Sequence, residues 1–294
     1  MYDRERLATL SAVVEEGGFE PAAARLHVTP SAVSQRIKAL EQQAGQVLVR
    51  RTRPCTATDA GQTLLRLARQ IAVLEGEVAA TFGPTTPAHL PIAVNADSLT
   101  HWFLDALAPL VAEHDVRLDL HVDDESRTAD LLRDGTVVGA VTTAPEPVRG
   151  CAAEPLGAMR YRAVATPGVA ARWFDGRDPA LAFPAAPRVD FGPEDRLQTR
   201  FARAITHRPC TGAVHRVPAA DGYHAAVRAG LGWGMFTDVP ARDETAAGHL
   251  VLLGGERYLD VPLYWQHWRL RTTVLDDLTA SVRRVAAGAL QQPG

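Results

Sequence analysis

The chain has 294 residues, 46% hydrophobic and 22% charged, with a formal net charge of −3. That length suits two or three domains, and no uncharged apolar run of about 18 residues or more offers a membrane span. The mixed-charge start MYDRERLATL lacks the apolar core of a signal peptide, and three widely spaced cysteines (Cys55, Cys151, Cys210) exclude a disulfide scaffold, so a reducing cytoplasm is expected.

The charge is uneven. Residues 21–70 hold eight Arg or Lys against two Asp or Glu, a balance of +6 that leaves −9 on the rest. A basic module on an acidic body is what a nucleic-acid binder with a separate second domain needs. A solvated basic face would give the same count.

Leu7, Leu10, Val13 and Val14 recur at helical spacing and predict a first helix from about Asp3 to Glu16, stopped at Gly17-Gly18. Phe19 turns inward, and a second short helix, Glu20 to Leu26, carries Ala22, Ala23 and Ala24. His27-Val28-Thr29 makes the turn. Thr29 suits an N-cap and Pro30 the first helical position, so a third helix is predicted from Pro30 to about Gln43. Its inward face is Val33, Ile37 and Leu40; its outward face is Ser31, Ser34, Gln35, Arg36, Lys38 (the chain's one lysine) and Gln42. A helix so poor in acid can enter the major groove, with Gln and Arg reading base edges. A plain three-helix bundle with a wet face would share the pattern. After Gly45, Val47–Val49 reads as a strand, residues 50–54 as a turn and Cys55–Thr58 as the return. Such a wing can hold phosphate or enter the minor groove through Arg50, Arg51 and Arg53.

Thr58 caps another helix. Leu64, Leu67, Ile71, Leu74 and Val78 follow at spacings of three and four. That heptad seam buries best against a second copy, the plainer alternative being one helix lying on its own domain. The helix is expected to end near Phe82, with GPTTPAH as a hinge. LPIAVN (90–95) then reads as a strand, and Asp97-Ser98-Leu99-Thr100 opens a helix bearing Trp102, a core residue. VRLDLHV (116–122) is a second strand, followed by Asp123-Asp124-Glu125, a helix from Ser126 to Arg133, and a third strand over Val137–Thr142. Tyr161–Ala165 is a further strand, and the pattern restarts at Leu181–Phe183. A helix over Gly222–Ala229 leads into a Gly-rich turn and strand, Val261–Trp268 is a late strand, and Asp276–Ala287 closes the chain. This alternation implies a mostly parallel sheet between helices. Two similar halves joined by a returning late strand suggest a two-lobed body like that of periplasmic binding proteins. No nucleotide-binding glycine motif, zinc motif or nucleophile elbow is present, so neither an enzyme nor a resident cofactor is expected.

The run AAARLHVTPSAVSQRIKALEQQAGQVLVRRTRPCTATDAG (22–61) resembles the winged helix-turn-helix of LysR-type transcriptional regulators in order and spacing. It departs from them at Val49, where the family usually has Phe, a change in wing packing. VNADSLTHWFLDALAPL, DDESRTADLLRDGTVVGAVTT, PVRGCAAEPLGAMRY and LYWQHWR are similar to the lysine- and arginine-responsive branch of that family. The resemblance implies an α/β chain with an N-terminal winged helix-turn-helix (1–58), a linker helix and hinge (59–89), and a two-lobed periplasmic-binding-protein-like effector domain (90–294). Lobe I would take about 90–163 and 267–294, and lobe II about 164–266. It implies linker helices paired antiparallel in a dimer, a tetramer on double-stranded operator DNA, a contact with RNA polymerase, and control of basic amino-acid export or transport. The alternative is a regulator of another metabolic operon that senses a different small molecule.

The ligand of such a body sits in the cleft between lobes. For L-lysine or L-arginine, Ser98 and Thr100 at a helix start can take the carboxylate. Asp97, Asp123, Asp124 and Glu125 at strand ends can pair with the cationic side chain, although acids there are also common caps. Thr142 and Thr143 can add hydroxyls, and Asp190 is a second-half candidate for the α-ammonium group. A nucleoid-coating protein would not need the large body, and a solute-binding protein would lack the basic module.

Overall fold

A computed structural model describes residues 1–80, 82–83, 87–122 and 125–292. Helices α1 (Arg4–Glu15), α2 (Phe19–Arg25) and α3 (Pro30–Ala44) are followed by the hairpin β1 (Val49–Arg50) and β2 (Thr56–Ala57) and by helix α4 (Asp59–Ala80). The predicted caps form. Thr29 Oγ1 accepts from the Ala32 amide, and Gly45 ends α3 in the left-handed region at φ 68°. Leu7, Leu10, Val13, Ala22, Ala23, Val33, Ile37 and Leu40 share one core with Leu48, Val49, Leu64 and Leu65. Each large apolar side chain buried there contributes about 1.5–3 kcal/mol.

Two expectations change here. The wing ladder pairs Val49 with Ala57 and Arg50 with Thr56; Val47 lies outside it and exposed, its carbonyl accepting the Thr58 hydroxyl at 2.7 Å. Leu64, expected on an interchain seam, is instead buried in this core, since the first turns of α4 close the N-terminal unit. Leu67 and Ile71 pack partly against it, and Leu74 and Val78 are exposed.

The body begins with β3 (Ala88–Val94), then α5 (Ala96–Ser98), a π turn (Leu99–Phe103) and α6 (Leu104–Glu113) as one continuous helix. It continues through β4 (Val116–Val122), α7 (Glu125–Arg133), β5 (Gly139–Thr142) and β6 (Cys151–Ala165). The second half holds α8 (Pro167–Trp173), α9 (Pro179–Ala185), β7 (Arg188–Asp190), α10 (Leu197–Thr206), β8 (Val214–Arg216), α11 (Ala220–Arg228), β9 (Gly234–Thr237), α12 (Asp238–Ala246) and β10 (Val251–Leu252). The chain returns through β11 (Leu259–Trp268) to α13 (Thr273–Ala289).

The sheet is mixed rather than mostly parallel. β3 lies parallel between β4 and β5, whereas β6, β9, β10 and β11 pair antiparallel. The reason is topological: the chain leaves the first half along β6 and must come back beside it along β11, so the two long strands run in opposite senses. The late part of β11 joins β5, its whole length pairs with β6, and the late part of β6 joins β9 and β10. β6 also starts ten residues before the expected Tyr161. Leu181–Phe183 lies in helix α9, not at the start of a strand, because Asp178 caps it and Pro179 occupies its first turn. The strand follows at β7, paired parallel with β8.

Helix α4 touches both parts of the molecule. Arg4 pairs with Glu75 at 2.8 Å, and Glu77 Oε1 accepts from the Thr273 amide at the start of α13 at 2.6 Å. Val73 packs on the body's core.

Candidate nucleic-acid interface and ligand cleft

One face of the N-terminal unit carries the exposed residues Thr29, Pro30, Ser31, Gln35 and Lys38, with Ser34 and Arg36 half-buried beside them. Arg36 does not point freely outward as expected: its Nη2 reaches Glu5 on α1 at 2.8 Å. The wing stands next to this face with Arg50, Arg51 and Arg53 exposed. Arg51 lies over the Phe19 ring at 4.8 Å, and Arg50 is 3.8 Å from Asp59. The Cys55 amide donates to the Gly17 carbonyl at 2.8 Å, tying the wing to the α1–α2 turn. Close packing demands a glycine at position 61, where a Cβ would strike the Leu48 carbonyl. A polar helix face and a cationic hairpin are thus held on one rigid core, with donors suited to phosphate and base edges.

The second site lies where β3 and β5 end beside the crossing strand β6. The π turn falls here, a local widening frequent at functional sites. Asp97 accepts the Tyr161 hydroxyl at 2.7 Å, and Tyr161 also lies 3.2 Å from the Met159 sulfur. One turn on, His101 Nε2 is 3.0 Å from Thr237 Oγ1 at the end of β9. The following residue, Asp238, is held by the buried Arg162 and, at 2.9 Å, by Arg242. Burial raises the Asp97 pKa above the usual carboxylate range, against the Tyr161 hydrogen bond and the fields of His101 and His224, which act to lower it. Burial also lowers the His224 pKa, with Asp97 opposing. Tyr223 donates to Met235 O and accepts from the Met235 amide at 2.7 Å, and Gln198 Nε2 reaches it at 3.0 Å. Ser98 Oγ and Asn95 Oδ1 are buried without a hydrogen-bond partner at the start of this helix, and Gln198 Oε1 is likewise unpaired. Buried polar atoms left open in this way are costly unless a ligand or water satisfies them. The cluster therefore offers a half-buried acid, an open hydroxyl at a helix start, the His101 imidazole, and hydroxyls and the His224 imidazole from the second half.

Not every expected ligand residue joins this group. Asp97 and Ser98 do. Thr100 is exposed, and its hydroxyl is spent on the Ala96 carbonyl at 2.8 Å. Thr142 is buried at the end of β5, bonded to Ala144 O and Gln266, with Thr143 half-buried beside it. Asp190 is closed into an ion pair with Arg188 at 3.1 Å. Asp123 and Asp124, and the side chain of Glu125, lie outside the described residues. Sequence reasoning missed Tyr161, His101, His224, Tyr223 and Thr237. Tyr161 and His101 carry no spacing signal, because they meet Asp97 and Thr237 only through the fold.

Comparison with known proteins places two family models on the chain: the bacterial regulatory helix-turn-helix protein of the lysR family over residues 5–62, and the LysR substrate binding domain over residues 86–287. The HTH-type transcriptional regulator LysG of Mycobacterium tuberculosis is 47% identical over 289 residues, covering 97% of this chain and 94% of that protein. The crystal structure of ArgP from Mycobacterium tuberculosis matches with a TM-score of 0.92 at 47% identity, covering 100% of both chains. Full-length LysG from Corynebacterium glutamicum with bound effector Arg matches with a TM-score of 0.83 at 40% identity, covering 99% of this chain and 100% of that one.

Proposed function

This chain belongs to the lysR family of bacterial regulatory helix-turn-helix proteins, and we propose that it is a transcription regulator whose action on DNA is set by a basic amino acid, L-arginine or L-lysine. The family consists of regulators, not enzymes. The observation that carries the reading is the side-chain cluster at Asp97. An acid raised in pKa by burial gains most from a cationic partner, and the open Ser98 hydroxyl at the helix start suits a carboxylate. The likeness to a LysG that holds Arg supports the same ligand class. Within this reading, residues 1–58 read DNA, 59–89 link and pair two copies through the outer part of α4, and 90–294 sense the ligand between two lobes. The DNA contacts are Thr29, Pro30, Ser31, Ser34, Gln35, Arg36, Lys38 and the wing arginines. Asp97 takes the side-chain cation and Ser98 the carboxylate, with Thr142 and Thr143 as further hydroxyls. The regulated gene exports or transports basic amino acids, the chain works in the cytoplasm, and RNA polymerase is the partner it recruits or blocks. No helix among the described residues is long and apolar enough to cross a membrane.

The test is calorimetry of the full chain with L-arginine, L-lysine, citrulline and norleucine. The last two keep the α-amino and carboxylate groups and lose the side-chain cation. Binding of the first pair at least tenfold tighter supports the reading. Equal affinity for all four removes Asp97 from the side-chain pocket.

A further inference from the structure

Helix α4 is seated on the sensing body through Arg66 and Arg69. The Arg66 side chain lies against Gly135 and Gly150, both in the left-handed region at φ 69° and 82°. A Cβ at Gly135 would stand 2.8 Å from Arg66 Cβ and 2.9 Å from its Cα, so the glycine allows the helix to approach this closely. One turn along, Arg69 faces two ways. Its Nη1 donates to the carbonyl of Asp134, the residue after α7, at 3.4 Å. Its Nη2 lies 3.7 Å from Glu15 Oε1 at the end of α1. The other oxygen of Glu15 takes Arg25 Nη1 at 2.8 Å. Arg25 is the last residue of α2, directly before the turn into the DNA-reading helix α3.

We propose that Glu15 and Arg69 are positioning residues that pass the state of the sensing body to the DNA-reading unit: an Asp134–Arg69–Glu15–Arg25 relay. This rests on the ligand-responsive reading above. Three features fit a signal path better than a structural brace. The Arg69 contacts are long, at 3.4 and 3.7 Å, so a small shift of α7 against α4 breaks or tightens them. Arg25 keeps a second acid, Glu16 at 3.2 Å, so losing the Glu15 link alters the placement of α2 without freeing it. Neither Glu15 nor Arg69 lies on the expected DNA face or in the Asp97 cluster, so an effect on either site must come through coupling. A demonstrated change in coupling is what separates a path from mere adjacency.

The experiment uses the full chain, its Glu15→Gln and Arg69→Gln variants, and the double variant. The probe is a duplex selected by the wild-type chain from a random-sequence pool. Fluorescence anisotropy gives its Kd with and without saturating L-arginine, energy transfer between labelled duplex ends reports bending, and calorimetry gives arginine affinity. In the wild type, L-arginine is expected to change the duplex Kd or the bend-dependent transfer by roughly fivefold or more. In each single variant that change should shrink to under about twofold, the double variant should lose no more than a single one, and arginine affinity and ligand-free duplex affinity should stay within about threefold of wild type. An arginine effect that persists at full size in both single variants overturns the relay and leaves the sensing reading intact. A wild-type chain that binds no arginine overturns both.

Discussion

The Tyr161 hydroxyl donates to the Asp97 carboxylate at 2.7 Å, joining the helix after β3 to the strand that crosses between the two halves of the body. This hydrogen bond holds an acid in place where burial alone would favour its neutral form. A cationic side chain brought to Asp97 would complete the pair. Replacing Asp97 by Asn removes the charge and keeps the shape. L-arginine binding to Asp97→Asn should weaken by about 2–5 kcal/mol, the usual cost of truncating one partner of a buried charge pair. Citrulline binding should barely change. Calorimetry on the two proteins with both ligands checks this, and a parallel loss for citrulline would place the damage in the fold.

The same acid sets a pH dependence. Its pKa in the ligand-free protein is raised, so the folded chain binds this proton more tightly than the unfolded chain does. The resulting stability is complete below the unfolded pKa and is lost as pH rises through the folded one. A cationic ligand prefers the ionised acid. Arginine affinity should therefore fall as pH drops through the raised Asp97 pKa, by about tenfold per unit once below it. The His224 imidazole, whose pKa burial lowers, faces Asp97 together with Tyr161, His101 and Asp195, and on acidification it would gain charge and repel the cation, in the same direction. Asp97→Asn should flatten the acid limb of the profile and raise the ligand-free Tm by roughly 1–3 °C at neutral pH. Titration calorimetry from pH 4.5 to 8 and a thermal scan are the measurements, and an unaltered acid limb would assign it to a group other than Asp97, such as His224.

The residues proposed to face DNA divide by role. Gln35 is exposed on α3, where a side-chain amide can read a base edge, and Gln35→Ala should cost about 1–3 kcal/mol on a selected duplex and little on a random one. Arg51 is exposed on the wing and steadied by the Phe19 ring. Arg51→Ala should weaken both duplexes alike and reduce the salt slope by about 1. Phe19→Leu keeps an apolar plug but removes the ring, so it should lower affinity less than Arg51→Ala and leave the salt slope unchanged. Anisotropy titrations at four salt concentrations separate these outcomes.

Much of this layout can be read from the chain itself, for reasons that differ by region. In the N-terminal unit, caps, period and turn residues all act within a few positions, so Thr29, Pro30, Gly45 and Thr58 mark its elements directly. The Asp97 cluster is different. Asp97 and Ser98 could be found because they follow a strand and open a helix. Tyr161 and Thr237, 64 and 140 positions beyond Asp97, reach it only because β6 crosses between the halves and β9 pairs with β6. The sense of the sheet was equally hidden, since an alternation of strands and helices does not say that β11 returns antiparallel. Leu64 shows the limit of a periodic seam: the spacing is right, but the first position is consumed by the head's own core.

That division of α4 fixes where a dimer contact should be tested. A charge at Leu64 would unfold the N-terminal unit, because the side chain is only 6% exposed within its core. Leu74, one heptad and a half further along, is 40% exposed and lies on the same stripe as Val78, 59% exposed. Apolar side chains left at heptad spacing on an outer face are most economically buried against a second helix of the same kind. Each leucine so buried contributes about 1.5–3 kcal/mol, and a two-fold contact counts it twice. Leu74→Asp should therefore raise the dimer dissociation constant of the full chain by at least about a hundredfold, while its circular dichroism and arginine affinity remain those of the wild type. Operator affinity should fall with it, since two reading heads on one scaffold bind a two-fold site far better than one. Sedimentation velocity across a dilution series reads the first effect and anisotropy the second. A Leu74→Asp chain that sediments as the wild type at every concentration would move the contact off α4 and onto the sensing bodies.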